Sequence, residues 1–409
     1  MPKNIKKHKK HKKIYEQKIQ QLEDLIENNK NAPAQGSAEW LRSRMESVGG
    51  SEMYYVVKKK NLRSLAESKL GIKEFVGNKY TRWGNLCEEL TRMFAELTFH
   101  TNVYETGALP GCVPFHHYSP DGLGIVKKKY LKKYVSKEVY KTLPYYCFVL
   151  FEFKNPFSRV PNGIIPEDYQ VQVQTGLNDI KHTDIGIFLD MVVRKCSLNQ
   201  LDWTNEYDKK YYTDPSKMPT PVAIGFIAFV EDDFGDDDDL LVEDHELATS
   251  EDIGDHMNDQ GLECESPEKS DNLKYNEYGY VDFGDTHYEN FDIITEKVKS
   301  KKTTAYYTVP TPGVFHIYTE LVKLDKFCEE NEKKIIGFMP YKIFSVHIIS
   351  MEKERNYLGK EHAKIIEDLV DFIRQHRESS KETKIKALDK KYPKYMKTAV
   401  VDDFLKQVV

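Results

Sequence analysis

The tetrapeptide FEFK places a carboxylate and an ammonium group two residues apart, at Glu152 and Lys154. The apolar and aromatic residues from Cys147 to Phe153 predict a buried strand around them. Because side chains alternate along a strand, Glu152 and Lys154 share one face, while Phe151 and Phe153 take the other. Charged groups on a buried strand need partners or a ligand.

Asp121 lies in the turn sequence SPDG before this strand, and we expect it to meet Glu152 across a hairpin. Two carboxylates at one point can hold Mg²⁺, with the backbone carbonyl of Phe153 as a third ligand. Such an ion would bind a phosphate oxygen and activate water for phosphodiester hydrolysis, with Lys154 orienting or deprotonating that water. A Glu-x-Lys pair alone is more often a surface salt bridge, so the prediction depends on the surrounding strand and turn.

Further motifs surround these two in a fixed order along the chain. They are WLRSRMESVGGSE (Trp40 to Glu52), WGNLCE (Trp83 to Glu88), SPDGL (Ser119 to Leu123) and FEFKNPF (Phe151 to Phe157), followed by YQVQVQ (Tyr169 to Gln174). In this set and order, over about residues 35 to 195, the chain resembles the PD-(D/E)XK nucleases of the phage lambda exonuclease and YqaJ viral recombinase family. The resemblance implies an alkaline, Mg²⁺-dependent exodeoxyribonuclease from a large DNA virus. It implies two ions per site, with Mn²⁺ able to substitute.

The resemblance also assigns roles to residues of the site. It implies that Asp121 and Glu152 bind metal, that Lys154 is the catalytic lysine, and that Gln172 projects into the site from the following helix. It implies that Glu88 completes the acidic cluster and contacts the metal directly or indirectly. Helical periodicity alone would instead bury its neighbour Glu89 with the apolar face, so the sequence leaves two candidates.

A terminal 5′-phosphate is the second ligand that the resemblance implies. Arg44 and Ser51 match residues that hold this phosphate, and Ser119 can join them. A guanidinium fork and hydroxyl groups are good phosphate ligands. A pocket of this kind would make the enzyme a 5′-to-3′ exonuclease that resects linear duplex DNA in recombination, repair or genome processing.

The run KKKYLKKYVSKEVYK separates the two metal-binding motifs and is longer than in the phage enzyme. Lysines interleaved with tyrosines suit DNA contact, here by Lys128 and Lys132, although a solvated surface helix explains the run equally well. His116 and His117 precede SPDG, where histidines are more often structural than catalytic.

The hydrophobic patterns predict an α/β (α+β) fold in which helices flank a mixed β-sheet. The resemblance implies that this fold is a PD-(D/E)XK restriction-endonuclease-like core. We expect the following organisation: a basic tail and surface helix (1–34), a nuclease core (35–230), a flexible acidic insertion (231–275), the remainder of the core with a final strand and helix (276–380), and a basic C-terminal tail (381–409).

The net charge of −5 argues against a uniformly basic DNA-coating protein, but outside the acidic insertion the chain is basic. The six scattered cysteines contain no CxxC pair, which disfavours zinc ribbons and suits a reducing compartment. The charged start and the lack of a long apolar run predict an intracellular protein without a membrane segment, in the host nucleus or a cytoplasmic virus factory.

The expected partners are duplex DNA with free ends and a protein that anneals single strands. An oligomer such as the ring-shaped trimer of the phage relative is compatible with the sequence. Three alternatives stay open: an endonuclease, a nuclease that acts on RNA, and an inactive DNA-binding scaffold.

Overall fold

A computed structural model describes residues 3–32, 38–73, 79–196, 221–232, 303–312 and 317–393, together with residues 201 and 315 and the pairs 274–275 and 281–282. The chain divides into two units, Met1–Val192 with Val346–Val409, and Val193–Ser345. The predicted acidic insertion, 231–275, lies outside the described residues except at its ends.

Helices dominate the first unit. In its described part they are α1 (Lys3–Asn29), α2 (Ala38–Met45), α3 (Met53–Val57), α4 (Leu62–Lys69), α5 (Lys79–Phe99), α6 (Lys128–Leu131), α7 (Lys137–Thr142), α8 (Glu167–Asp179), α10 (Lys360–His376) and α11 (Lys381–Lys391). A 3₁₀ turn, Gly50–Glu52, precedes α3. The basic N-terminal residues from Lys3 are part of α1, and the predicted C-terminal tail begins with α11. None of the described helices has the length and apolar character needed to cross a membrane.

The run that contains FEFK forms β5 (Tyr146–Lys154), which has a neighbouring strand on each side in a mixed sheet. It pairs antiparallel with β4 (Gly122–Lys127) and parallel with β6 (Ile185–Lys195). A smaller sheet joins β1 (Val48–Gly49), β3 (His116–Tyr118) and β2 (Leu109–Pro110) in that order. The predicted mixed sheet flanked by helices is confirmed, and so is the hairpin that joins SPDG to FEFK.

The two faces of β5 pack against different helices, as its alternation predicts. Val149, Phe151 and Phe153 belong to one buried cluster, together with Phe99 of α5 and Leu131 of α6. Phe148 and Leu150 belong to another, with Leu22 of α1, Leu177 of α8 and Tyr118 of β3. Glu152 continues this second face, so an apolar run brings a carboxylate into the interior beside α8.

The C-terminal helices complete the first unit. Apolar residues of α10, among them Ile366 and Leu369, pack with Met53 and Val56 of α3 and with Leu65 of α4. The helix α10 therefore buries its apolar stripe against the segment that follows the first motif.

The second unit contains strands that pair antiparallel. In its described residues, β7 (Ala223–Asp232) lies between β10 (Thr303–Tyr307) and β11 (Lys333–Met351). The helix α9 (Ile317–Glu330) packs on these strands through Leu321 and Leu324. A short hairpin joins β8 (Lys274–Tyr275) to β9 (Val281–Asp282).

Tyr118 joins the 3₁₀ turn to α8 in the first unit. Its ring is fully buried. A Cβ at Gly50 would lie 2.3 Å from Tyr118 Cδ2, and a Cβ at Gly176 would lie 2.3 Å from Tyr118 Cζ. The ring therefore fits only because both neighbours are glycine.

Replacing Gly176 by alanine should lower the free energy of unfolding by about 1–3 kcal/mol, the usual cost of overpacking. This decrease would be opposite to the usual effect, because Gly→Ala inside a helix otherwise raises the free energy of unfolding by about 1 kcal/mol. The matched control is Gly84→Ala in α5, where an added Cβ meets nothing within 4 Å, so this variant should be as stable as the wild type or more so. Urea unfolding midpoints of both variants test the packing, and a gain in stability for Gly176→Ala would contradict it.

Candidate active site

The β4–β5 hairpin brings Asp121 next to the end of β5. Asp121 immediately precedes β4, and Gly122 pairs with Phe151. The Oδ2 atom of Asp121 accepts a hydrogen bond from the backbone N–H of Phe153 at 2.7 Å. The backbone of β5 thus holds the carboxylate of Asp121, which lies in the turn before β4.

The ammonium group of Lys154 lies against three oxygen atoms at this point. It donates to Glu152 Oε1 and to the carbonyl oxygen of Phe153 at 3.0 Å, and its Nζ lies 3.6 Å from Asp121 Oδ2. These are the three groups that the sequence predicts as metal ligands. The fold therefore directs all of them towards one position that already accommodates a positive charge.

Glu152 is the most deeply buried member of this cluster, with an exposed fraction of 0%. Its second oxygen, Oε2, accepts a hydrogen bond of 2.9 Å from the hydroxyl of Tyr118. Burial raises the pKa of Glu152 to about 7, and the negative charge of Asp121 adds to the rise, while Lys154 and Tyr118 oppose it. Both oxygens of a buried carboxylate thus have donors, which its burial requires.

Lys154 stays protonated in this arrangement. Burial lowers the pKa of its ammonium, but the charges of Glu152 and Asp121 outweigh burial and hold that pKa above the ordinary lysine value. The ammonium also lies 5.0 Å from the ring centroid of Tyr169 on α8, within the range of a cation–π contact. While both carboxylates are ionised, Lys154 can act as a cation but not as a base.

Glu88 is the third carboxylate near this cluster. Burial, followed by the charge of Asp121, raises the pKa of Glu88 to about 8. Its neighbour Glu89 instead forms an ion pair with Arg92 of the same helix. The structure thus places Glu88 in the electrostatic environment of the site and gives Glu89 a different partner.

The oxygen donors of the cluster are of the type that Mg²⁺ prefers. No group of three His, Cys, Asp or Glu side chains within the described ranges forms a preformed metal cage. Mg²⁺ does not require one, because it is usually held by one or two carboxylates and keeps several waters. Burial, with the charge of Asp121 added to it, raises the pKa values of Glu88 and Glu152, and a divalent cation beside them would favour their ionised forms. The donor set fits a hard cation.

The predicted phosphate ligands lie around the 3₁₀ turn. Arg44 Nη2 is 3.4 Å from Glu52 Oε1, and Ser51 is exposed in the turn itself. The hydroxyl Oγ of Ser119 is buried and has no hydrogen-bond partner among the described residues. Because Gly50 packs on Tyr118, this group of residues adjoins the carboxylate cluster.

A buried ion pair between Lys69 and Glu52 stabilises the 3₁₀ turn. Lys69 Nζ donates to Glu52 Oε2 at 2.7 Å and to the Arg44 carbonyl at 2.6 Å. The backbone N–H of Gly49 donates to the same carboxylate oxygen at 2.8 Å. Although burial opposes it, the charges of Lys69 and Arg44 hold the pKa of Glu52 below its usual range. Glu52 is thus an ionised anchor for the turn.

The two histidines before SPDG have different surroundings. His116 is buried, with Nδ1 2.7 Å from the Val48 carbonyl and Nε2 2.8 Å from Asp179 Oδ2, so both ring nitrogens have structural partners. His117 Nδ1 lies 2.9 Å from Ser47 Oγ. Burial and then the charge of Arg44 lower the pKa of His117 to about 4, so its ring is neutral at physiological pH.

The remaining predicted site residues are placed as follows. Gln172 is buried on α8, one helical turn before Gly176. Lys128 donates to the carbonyls of Leu143 at 2.8 Å and Lys141 at 3.3 Å, so its ammonium holds the α6–α7 segment together. Lys132 follows α6 and is exposed.

Sequence reasoning missed Tyr118 and the Glu52–Lys69 pair. Tyr118 lies in the tripeptide HHY, which has no pattern that indicates a buried hydroxyl facing Glu152. Lys69 comes from a helix outside every recognised motif. The nearest signal was the pair of glycines Gly49 and Gly50 before Ser51, since adjacent glycines indicate close approach of another group.

A mixed sheet flanked by helices carries a hairpin that ends on an Asp, Glu-x-Lys cluster, as the motifs of the sequence predict. Residues 39–178 match the model of the YqaJ-like viral recombinase domain. This part of the chain is thus similar to that domain, and the resemblance predicted from its motifs is confirmed.

Two similar proteins come from African swine fever virus. The protein of the Tick/Malawi isolate is 29% identical over 220 residues, which cover 50% of this chain and 63% of the relative. The protein of the Badajoz strain is 30% identical over 224 residues, with the same coverage of 50% and 63%. The chain therefore matches less than two thirds of the length of these relatives, which are proteins of a large DNA virus.

Two solved structures are also similar in part. They are the alkaline exonuclease LHK-Exo from Laribacter hongkongensis and the same protein in complex with dAMP. The first is 18% identical and covers 38% of this chain and 74% of that chain, with a TM-score of 0.29. The second is 19% identical and covers 38% and 73%, also with a TM-score of 0.29.

Replacing Lys69 by methionine should lower the free energy of unfolding by about 3 kcal/mol, because it removes the nearer of the two cations that Glu52 has among the described residues while its carboxylate stays buried. The matched control is Lys386→Met, since Lys386 and its partner Glu382 have side chains that are 75% and 79% exposed. That change should cost less than about 1 kcal/mol.

The same comparison has a defined pH dependence. Because the pKa of Glu52 is lowered, its ion pair stabilises the fold above the ordinary glutamate pKa, and this contribution is lost as the pH falls through the lowered value. Urea unfolding of the wild type and of Lys69→Met should therefore show a difference in free energy of unfolding that is large at neutral pH and becomes smaller in acid. A constant difference would argue against the ionised pair.

Proposed function

We propose that this protein is a metal-dependent deoxyribonuclease. The observation that carries the proposal is the convergence of Asp121 Oδ2, Glu152 Oε1 and the Phe153 carbonyl oxygen on the ammonium of Lys154. Three oxygen ligands and a lysine at the end of one hairpin are what phosphodiester hydrolysis by a hard cation requires. The match of residues 39–178 to a viral recombinase domain supports the same reaction class.

In the proposed mechanism, Asp121, Glu152 and the Phe153 carbonyl would hold Mg²⁺ or Mn²⁺, and Glu88 would help to hold a second ion. A bound metal would supply an activated water molecule and stabilise the charge that develops on the phosphate. The ammonium of Lys154 would neutralise charge on the phosphate or orient the attacking water. Gln172 would project towards the same site from α8.

We further propose that the enzyme acts from DNA ends in the 5′-to-3′ direction. Arg44, Ser51 and Ser119 would hold the terminal 5′-phosphate beside the carboxylate cluster. The buried hydroxyl of Ser119, which has no hydrogen-bond partner in the described part of the chain, supports this proposal, because such a group needs a partner. The packing of Gly50 on Tyr118 also supports it, since this contact couples the 3₁₀ turn to Glu152.

Several expectations stay predictions from the sequence. They are a single-strand annealing partner, an oligomer comparable to the trimer of the phage relative, and a place of action in the host nucleus or a cytoplasmic virus factory. DNA contact by Lys132 also stays a prediction. Lys128 contacts backbone carbonyls in the structure, so it would need to release them before it could bind phosphate.

Lys154→Ala should reduce the rate of degradation of a linear, 5′-phosphorylated duplex by about 100-fold or more. Removal of one group that stabilises charge at a reacting centre usually lowers the rate by this factor. DNA binding, measured separately by gel shift, should persist. The matched control is Lys364→Ala, an exposed lysine of α10 that should leave the rate unchanged. EDTA should abolish cleavage, and Mg²⁺ or Mn²⁺ should restore it.

Other outcomes of this assay separate the alternatives. Full activity of Lys154→Ala would overturn the site assignment. Cleavage of closed circles would indicate an endonuclease, and faster cleavage of RNA would indicate an RNA-acting enzyme. Binding without cleavage by the wild type, under either metal at alkaline pH, would indicate a DNA-binding scaffold.

The 5′-phosphate pocket predicts a preference for phosphorylated over hydroxyl ends. Ser51→Ala should reduce that preference by about tenfold, the value of one hydrogen bond to a charged group. Ser64→Ala is the control, because Ser64 is an exposed serine of α4. The measurement is the initial rate on duplexes that differ only at the 5′ end. Equal wild-type rates on both ends would refute the pocket.

A further inference from the structure

A second cleft lies at the opposite end of the β4–β5 hairpin from the carboxylate cluster. The hairpin register runs from the Gly122–Phe151 pair, beside the cluster, to the Lys127–Tyr146 pair at the far end. At about 3.3 Å per residue, these two pairs are about 17 Å apart. Lys127 and Tyr146 both line a cavity of about 330 Å³. The lining of the cleft contains no residue of the carboxylate cluster, although it extends towards the cluster at Tyr104, whose backbone pairs with that of Leu123.

Aromatic side chains from separate elements form the walls of this cleft. They come from α1, the segment after α5, α6 and β5, and they are Tyr15, His100, Tyr104, Tyr130 and Tyr146. Tyr15 and Tyr104 are 41% and 38% exposed, which is unusual for rings that only fill a core. Rings with accessible faces in a cleft are platforms on which nucleobases stack, and each stacked base contributes substantially to affinity.

The rings of the cleft are already arranged in close pairs. His100 and Tyr130 have ring centroids 4.3 Å apart with an interplanar angle of 32°. Tyr15 and Tyr146 have centroids 4.9 Å apart. With two ring pairs on separate elements, successive bases of one strand could each stack on an aromatic ring. A single exposed tyrosine could stack with only one base.

The charge of the cleft complements a phosphate backbone. Lys127 Nζ lies 5.7 Å from the ring centroid of Tyr146, and Lys129 Nζ lies 4.4 Å from that of Tyr130. Within the described part of the chain, neither lysine pairs with a carboxylate, and the lining contains no Asp or Glu. Positive charge beside stacking rings is the composition of a single-strand binding surface.

We propose that this cleft binds single-stranded DNA, with bases stacked on Tyr15, Tyr104 and Tyr130 and with phosphates held by Lys127 and Lys129. An apolar peptide fits less well, because Ile19 and Ile125 are the aliphatic side chains among the lining residues. A duplex fits less well too, because its bases are stacked on one another and expose no faces to the rings. Binding at this cleft does not depend on cleavage at the carboxylate cluster.

The test is a fluorescence anisotropy titration of the full chain with a labelled oligo(dT) of about 12 nucleotides, within the usual range of single-strand sites. EDTA is present, so that no cleavage occurs. Tyr104→Leu and Tyr15→Leu should each weaken binding about tenfold, because leucine removes the stacking face. Tyr104→Phe should bind as the wild type does, because the ring remains.

Lys127→Gln should weaken binding and reduce the slope of log affinity against log salt by about one, as expected for one lost phosphate contact. Lys364→Gln on α10 is the matched control for loss of an exposed lysine and should bind as the wild type does. Because Tyr15 and Lys127 come from elements other than that of Tyr104, these variants decide the question if Tyr104→Leu does not fold.

Crosslinking locates the strand independently. An oligonucleotide that contains 5-iodouracil should crosslink to peptides with Tyr104 or Tyr130. Crosslinks confined to peptides near Asp121 and Glu152 would overturn the proposal, as would unchanged oligo(dT) affinity in all cleft variants. Equal competition by dTMP and oligo(dT) would overturn the claim for a strand in favour of a mononucleotide.

Discussion

The buried carboxylate of Glu152 is the group on which the rest of the site depends. It lies at the end of an otherwise apolar strand, with no exposure to solvent, and its two oxygens are bound by Lys154 and Tyr118. A carboxylate in this position is costly without donors. The hydroxyl of Tyr118 can reach it only because the ring passes between two glycines. The hydrogen bond from Tyr118 of β3 to Glu152 of β5 thus depends on the packing of the Tyr118 ring against the 3₁₀ turn and α8.

The same cluster contains two carboxylic acids with raised pKa values. Burial, with the charge of Asp121 added to it, raises the pKa of Glu88 to about 8 and that of Glu152 to about 7. Perturbed pKa values of this kind cluster at functional sites. By contrast, Glu52 has a lowered pKa because Lys69 and Arg44 outweigh its burial. The ionised Glu52 holds the 3₁₀ turn in place, whereas the environment of Glu88 and Glu152 is compatible with the proposed cation site.

The β4–β5 hairpin gives the first unit two chemically different ends. One end combines carboxylates with a single lysine, and the other combines tyrosines with lysines that have no carboxylate partner among the described residues. The first suits chemistry on a phosphodiester, and the second suits a strand with exposed bases. Helix α1 contributes to the second end through Tyr15, while its apolar residue Leu22 packs into the core. If both proposals hold, this strand pair carries two parts of one nucleic acid.

The sequence by itself determined the strands, the faces of β5 and the order of the motifs, because alternation and apolar runs are local properties of the chain. It therefore predicted that Glu152 and Lys154 share a face and that Asp121 meets them across a hairpin. Only the tertiary structure placed Glu88 in the electrostatic environment of the cluster and paired Glu89 with Arg92. The rotation of α5 about its own axis, which decides between the two, depends on the elements that pack against this helix. Likewise, the contacts of Tyr118 and the cleft around Tyr104 join segments far apart in sequence, and no local pattern encodes which distant side chains will meet.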